Sequence, residues 1–129
     1  MVDPGFFHVN GFRVSENYGK LLENVVAIEL LRRAAFHSSP FEIYYWRDYQ
    51  GREVDFVVKE GGDVKQLIQM CYKVGDREVK KREMASIVKA SREVHCNNIL
   101  VVTRNHEGEE KWDGKTVKFM PLWKWLLGG

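Results

Sequence analysis

Glu23, Asp55 and Gln69 are the residues of this chain whose types and spacing could do chemistry. Asp55 interrupts an apolar run, Val54-Asp55-Phe56-Val57-Val58. An acid in such a run is costly unless it is paired, protonated or bound to a cation. Strand alternation predicts Asp55 on one face with Glu53 and Val57. By the same period, Gln69 and Cys71 share a face of the next strand. If the two strands are neighbours, these groups converge. Oxygen donors from Glu23, Asp55 and Gln69 suit Mg²⁺, which keeps several waters. Such a metal would orient a water and stabilise charge on a phosphate. Each glutamate has an alternative reading. Glu29 falls among Tyr18, Leu22, Val25 and Phe36 on the apolar face of a helix, and Glu23 falls on its flank near Val26 and Leu30. An arginine or a backbone amide would satisfy either one at the edge of a core.

The elements that must position these groups follow from turns and periodicity. Residues 1–14 read as a leading strand and loop. Ser15 is placed to cap a helix reaching about Phe36, with Leu21, Leu22, Val25, Ile28 and the stem of Arg32 as its inner face. His37-Ser38-Ser39-Pro40 ends it. Phe41 to Arg47 is aromatic and β-branched, hence a strand. Asp48 to Gly51 makes a hairpin turn, Glu53 to Lys59 returns, and Gly61-Gly62-Asp63 turns again into a third strand, Val64 to Tyr72. Gly75-Asp76 caps a second helix, about 77–95. Ile99 to Thr103 is a continuously apolar, buried strand. Asp113-Gly114 turns into Thr116 to Met120. Pro121 opens a short last helix. The chain has 129 residues and reads as one α/β domain.

Composition narrows the class. Hydrophobic residues make 44% and charged residues 29%, as in a globular protein. No apolar run reaches the roughly 18 residues of a membrane span. The N-terminus lacks a basic segment followed by a long apolar one, so no signal peptide is read. Two cysteines, Cys71 and Cys96, lie in or beside apolar segments, which fits the cytoplasm better than a disulfide framework. A net charge of +2 permits nucleic-acid binding without arguing for it.

The order αβββαβ, with Gly19-Lys-Leu-Leu-Glu-Asn24 on the first helix and Glu53-Val-Asp-Phe-Val-Val58 on the second strand, resembles the PD-(D/E)XK nuclease-like superfamily. More narrowly, nearly the whole chain resembles a domain of unknown function from the C-terminal part of archaeal and bacterial AAA+ ATPases. The stretches that carry this resemblance are DPGFFHVNGF, GKLLENVVAIELLRR, EIYYWRDYQGREVDFVV, LIQMCY, KKRE and PLWKWLL. It implies a restriction-endonuclease-like core, a mixed central sheet flanked by helices. Carried over by motif, Glu23 falls at the helix acid, Asp55 at the central acid, and Gln69-x-Cys71 at the Glu-x-Lys pair. Gln69 offers a metal a carbonyl dipole without charge, and Cys71 cannot supply the fixed positive charge of the lysine. Lys80, among Met84, Ile87, Ser91 and Val94 on the second helix, is the candidate replacement. The alternative for Lys80 is to extend past the helix end into solvent.

Other motifs carry less. Arg77, Lys80, Lys81, Arg82, Lys89 and Arg92 are interleaved with Glu78, Glu83 and Glu93, which reads as a solvated helix face. Gly108 lies one residue too far from Gly114-Lys115-Thr116 for a phosphate loop, so no nucleotide is expected. His95-Cys96, the closest His/Cys neighbours, point apart on a helix end and do not make a zinc site. Cys71 reads as a buried, inert thiol.

These readings lead to one expectation and two alternatives. The expectation is a nuclease-fold domain with a degenerate active site, a non-catalytic module for nucleic-acid binding or assembly, with the ATPase module absent from residues 1–129. The first alternative is an active Mg²⁺- or Mn²⁺-dependent endonuclease cleaving DNA, with Glu23, Asp55 and Gln69 holding metal and Lys80 as the cation. The second is an interaction-only homodimer. The segment Phe119-Met-Pro-Leu-Trp-Lys-Trp-Leu-Leu127 is too apolar for one short helix to bury, so an ATPase module or a second copy is expected to meet it.

Overall fold

The computed structural model describes residues 5–8, 18–36, 41–72 and 74–128. The expected Ser15 cap and the stop at residues 37–40 lie outside the described residues. In chain order the elements are β1 (Gly5–His8), α1 (Tyr18–Phe36), β2 (Glu42–Arg47), β3 (Glu53–Glu60) and β4 (Asp63–Met70), then α2 (Arg77–Val94), β5 (Ile99–Thr103), β6 (Gly108–Trp112), β7 (Lys115–Pro121) and α3 (Leu122–Leu126).

The strands form one mixed sheet in the order β1-β2-β3-β4-β5-β7-β6. β2 to β4 make an antiparallel meander with β1 antiparallel beside β2, β5 runs parallel to both β4 and β7, and β6 returns antiparallel on the edge. The turn between β3 and β4 needs backbone that L side chains rarely adopt, and Gly61 and Gly62 supply it with φ of 62° and 91°. β5 is buried along its whole length. It is central and covered on both faces, which is why its sequence is a continuous apolar run rather than an alternating one.

Two clusters fill the space on either side of the sheet. On one side Met84, Ile87 and Ala90 of α2 pack on Val54, Val57, Leu67, Val101 and Phe119. On the other, Val26, Ala27 and Leu30 of α1 and Trp125 of α3 pack on Phe56, Ile68, Leu100 and Val102. Each Leu or Ile fully withdrawn from water contributes about 2 kcal/mol toward the entropy cost of ordering the chain. α2 begins as its sequence suggests. The Asp76 side chain accepts hydrogen bonds from the Glu78 and Val79 amides at 3.1 and 3.2 Å, satisfying two donors that the first turn leaves without partners.

The inner face of α1 departs from the expectation. Val26, Ala27 and Leu30 are buried, whereas Leu21 and Ile28 are 55% and 45% exposed. α1 is apolar on more than one side, so periodicity alone does not choose the face that meets the sheet. Among the described residues, no helix is long and apolar enough to cross a membrane.

Candidate functional site

The site begins where two strands part. β3 and β4 pair from Glu60↔Asp63 to Phe56↔Ile68. Past that point the Cys71 amide bonds to the Val102 carbonyl of β5 at 2.9 Å. At the same level β3 carries a bulge. Tyr44 pairs Val57 and Trp46 pairs Val54, so three steps on β3 match two on β2. The extra residue upsets the alternation expected for Asp55. Val54 and Val57 both face α2, while Phe56 and Val58 face α1. Glu53, Asp55 and Val57 therefore do not form one simple face, because a bulge re-aims the side chains around it.

Side chains continue the ladder across the gap. The Gln69 Oε1 accepts a hydrogen bond from the Asp55 amide at 2.8 Å. The Asp55 Oδ2 accepts one from the Met70 amide at 2.9 Å. The Gln69 Nε2 donates to the Glu83 carboxylate of α2. Gln69 is buried, and its carboxamide thus ties β3, β4 and α2 together. Leu67 and Cys71 lie in the cluster facing α2, so Gln69 and Cys71 do share a side of the strand as their spacing predicts.

A cleft of about 550 Å³ opens over this bridge, lined by Glu23, Glu53, Asp55, Gln69 and Glu83 with Arg52 and Arg82. Glu23, Asp55 and Gln69 are thus brought together from α1, β3 and β4. Glu83 is the member that sequence reasoning placed on a solvated face. Its signal was present in the helical spacing, since Glu83 stands next to Met84 and three residues before Ser86, both buried. Burial pushes the Glu83 carboxyl above its ordinary value. The hydrogen bond from Gln69 and the charge of Arg82 offset this in part, and the charges of Glu53 and Glu23 push it further up.

Lys80 does not line this cleft. Its Nζ bonds to the Glu110 carboxylate of β6 at 2.9 Å and sits 5.8 and 5.2 Å from the ring centres of Trp112 and Phe119. Glu110 also meets His106 Nε2 at 3.0 Å and accepts from Trp112 Nε1 at 3.1 Å. Burial pushes the Glu110 carboxyl up, but the bonds to Lys80, His106 and Trp112 outweigh it and hold it below its ordinary value. Lys80 neither reaches toward β3 nor extends into solvent. It fastens α2 to the β6–β7 hairpin.

Glu29 follows its alternative reading. Its carboxylate accepts from Arg32 at 2.9 and 2.7 Å and from Arg33 at 2.6 Å. The hydrogen bond from Arg32 outweighs burial and, with Arg33, holds the Glu29 carboxyl down to about 2. Arg33 in turn donates to the Trp125 carbonyl at 2.6 Å and lies 4.3 Å from that indole, which docks α3 on α1.

The nuclease resemblance would give Mg²⁺ or Mn²⁺ the oxygens of Glu23, Asp55 and Gln69. The Gln69 carbonyl is turned to the Asp55 amide, and one Asp55 oxygen to the Met70 amide. Among the described residues, no group of three or more His, Cys, Asp or Glu is arranged to hold a metal ion.

The chain belongs to the family described as Domain of unknown function (DUF4143), which it matches over residues 18–125. It is similar to Uncharacterized protein MJ1544 of Methanocaldococcus jannaschii, with 35% identity over an alignment 119 positions long that covers 88% of this chain and 26% of that protein. The chain therefore spans about a quarter of the length of that relative. No solved structure matches the chain significantly.

Proposed function

We propose that this chain is a non-catalytic assembly module built on a restriction-endonuclease-like αβββαβ core whose active site is degenerate. The observation that carries this reading is the Gln69 carboxamide. It faces the Asp55 amide with its oxygen and Glu83 with its nitrogen. Hydrolysis of a phosphodiester at this place asks for carboxylate charge on a metal and a cation toward the phosphate. Gln69 is neutral and spent on the protein, and Lys80 is spent on Glu110. Glu23, Glu53, Asp55 and Glu83 outnumber Arg52 and Arg82 along the cleft. Such a lining repels a phosphate backbone, whose affinity for proteins rests on cations. Protein contacts are thus favoured over nucleic acid as the business of this domain.

A calorimetric Mn²⁺ titration tests the proposal, with Asp55→Asn and Gln69→Glu beside the unchanged chain. The expected result is no saturable binding by the unchanged chain beyond that of Asp55→Asn, with saturable binding gained in Gln69→Glu. Saturable binding by the unchanged chain that Asp55→Asn abolishes, together with cleavage of branched or single-stranded DNA, would replace this reading with that of an Mg²⁺- or Mn²⁺-dependent endonuclease.

A further inference from the structure

We infer that β6 pairs, antiparallel, with the β6 of a second copy of this chain about a two-fold axis at Glu110, so that one sheet runs through both copies. The inference gives the assembly reading a partner and rests on that reading, yet no residue of the cleft enters it. The Mn²⁺ titration and the mass in solution can therefore fail separately. β6 ends the sheet, with β7 on one side of it. Which of its backbone groups face outward follows from the turn. Asp113 and Gly114, with φ of 52° and 81°, make a two-residue hairpin turn between Trp112 and Lys115. A turn of this length closes on a pair that exchanges both backbone hydrogen bonds, and such pairs then alternate along the ladder. Trp112, Glu110 and Gly108 therefore spend their N–H and C=O groups on Lys115, Val117 and Phe119. Those of Glu109 and Lys111 point away from β7. Among the described residues, no strand meets them there.

An edge of this kind binds another strand through its main chain, and its side chains decide which strand. The side chains of β6 select its own copy. Turned end for end about Glu110, Glu109 of one copy stands opposite Lys111 of the other, and Lys111 opposite Glu109. These are the residues whose backbone groups point outward, so each pair exchanges both hydrogen bonds and sets a carboxylate beside an ammonium. A two-fold at Glu109 or at Lys111 would instead set like charges against each other. Glu109 and Lys111 are exposed, and neither has an ion pair with another described residue. On the face toward α2, the same register lays Trp112 across Gly108 of the copy. Trp112 is half-buried, and Gly108 has open space where a Cβ would stand. An aromatic ring over a strand glycine fills such a gap. Nearest the axis the two Glu110 carboxylates meet, each already neutralised by its own Lys80. A contact in which every residue meets its complement from both copies is the form a two-fold requires.

The test is the mass of the full chain in solution across concentration. The expected result is a dimer of the 15.1 kDa chain. Lys111→Glu and Glu109→Lys each set like charges together at both pairs, and each should weaken the dimer by roughly tenfold. The double variant with both reversals exchanges the two charges and leaves every pair opposite in sign. It should restore the affinity of the unchanged chain. Equal parts of the two single variants should form a mixed dimer tighter than either variant forms alone. Both residues are exposed, so all these chains should keep the circular dichroism of the unchanged one. A monomer at every concentration, a dimer that neither single reversal weakens, or a double variant as weak as the singles would each overturn the inference.

Discussion

Asp48 and Glu83 are two carboxyls set against the same helix, and the fold treats them in opposite ways. Asp48 sits in the β2–β3 turn with its side chain wholly buried. It accepts from the Gln50 and Arg52 amides at 2.9 and 2.8 Å and from Lys89 of α2 at 2.6 Å. Burial pushes its carboxyl up, but the Lys89 hydrogen bond and the two amides outweigh it and hold it below its ordinary value. Glu83, also on α2, receives the neutral amide of Gln69 and stands near Glu23 and Glu53, and its carboxyl is pushed up. Where the architecture needs a buried charge, it supplies the opposite charge and the amides to go with it. Glu83 receives a neutral amide where Asp48 receives an ammonium and two backbone amides.

Removing the well-served acid should have the largest effect. Asp48→Ala leaves two turn amides without their acceptor and Lys89 with only the Gln50 side chain and the more distant Glu93, and is expected to cost about 3 kcal/mol of unfolding free energy in a urea titration. A cost within error of zero would mean that the turn is held by its backbone alone. The contribution of Asp48 also has a sign in pH. Its folded value is depressed, so the stabilisation is present above the ordinary 3.8 and is lost as pH falls below it.

Glu83 should behave in reverse. Its folded value is raised, so its contribution favours the fold below the ordinary 4.5 and is lost as pH rises through the raised value. Glu83→Gln is therefore expected to gain up to about 1 kcal/mol at neutral pH, with almost no change at pH 4. Thermal melts at the two pH values check this, and a loss at neutral pH would erase the contrast with Asp48. Glu29→Gln should have the smallest effect, a few tenths of a kcal/mol. Arg32, its first partner, is 59% exposed and screened by water and salt. The loss should be visible above pH 4.5 and absent near pH 2, where the Glu29 carboxyl itself takes up its proton. A loss that persists at pH 2 would assign Glu29 a packing role instead of an ionic one.

The turns and caps of this fold were legible in the sequence, since Gly61-Gly62, Asp113-Gly114 and the Asp76 cap act through their own backbone and near neighbours. β5 was legible because only a strand covered on both faces tolerates five apolar or near-apolar residues in a row. The site was legible in part. Glu23, Asp55 and Gln69 do meet at one cleft, yet what they do there depends on the bulge beside Asp55, and a bulge leaves no mark in an apolar run. Glu83 was hidden in a charged stretch that is mostly exposed, though Lys80 and Lys89 in it also turn inward. The partner of Lys80 could not be read, because β6 reaches α2 only after β7 has inserted beside β5. Leu21 and Ile28 of α1 were read as part of its core face and are exposed, since more than one side of the helix is apolar and the register against the sheet is a tertiary matter.

The mixed sheet has a consequence for how quickly the chain finds its structure. β2 to β4 join through short turns and can zip from local contacts. The parallel pairing of Leu67–Met70 with Ile99–Val102 must wait until the whole of α2 has been looped back, and the entropy of that closure is spent before its contacts are made. The slow step of folding therefore belongs to the β4–β5 seam. Val101→Ala should slow refolding nearly as much as it destabilises the chain, while Asp48→Ala, in the early meander's turn, should leave a different balance between folding and unfolding rates. Stopped-flow refolding of the two variants would show whether the parallel seam or the hairpin meander governs the rate.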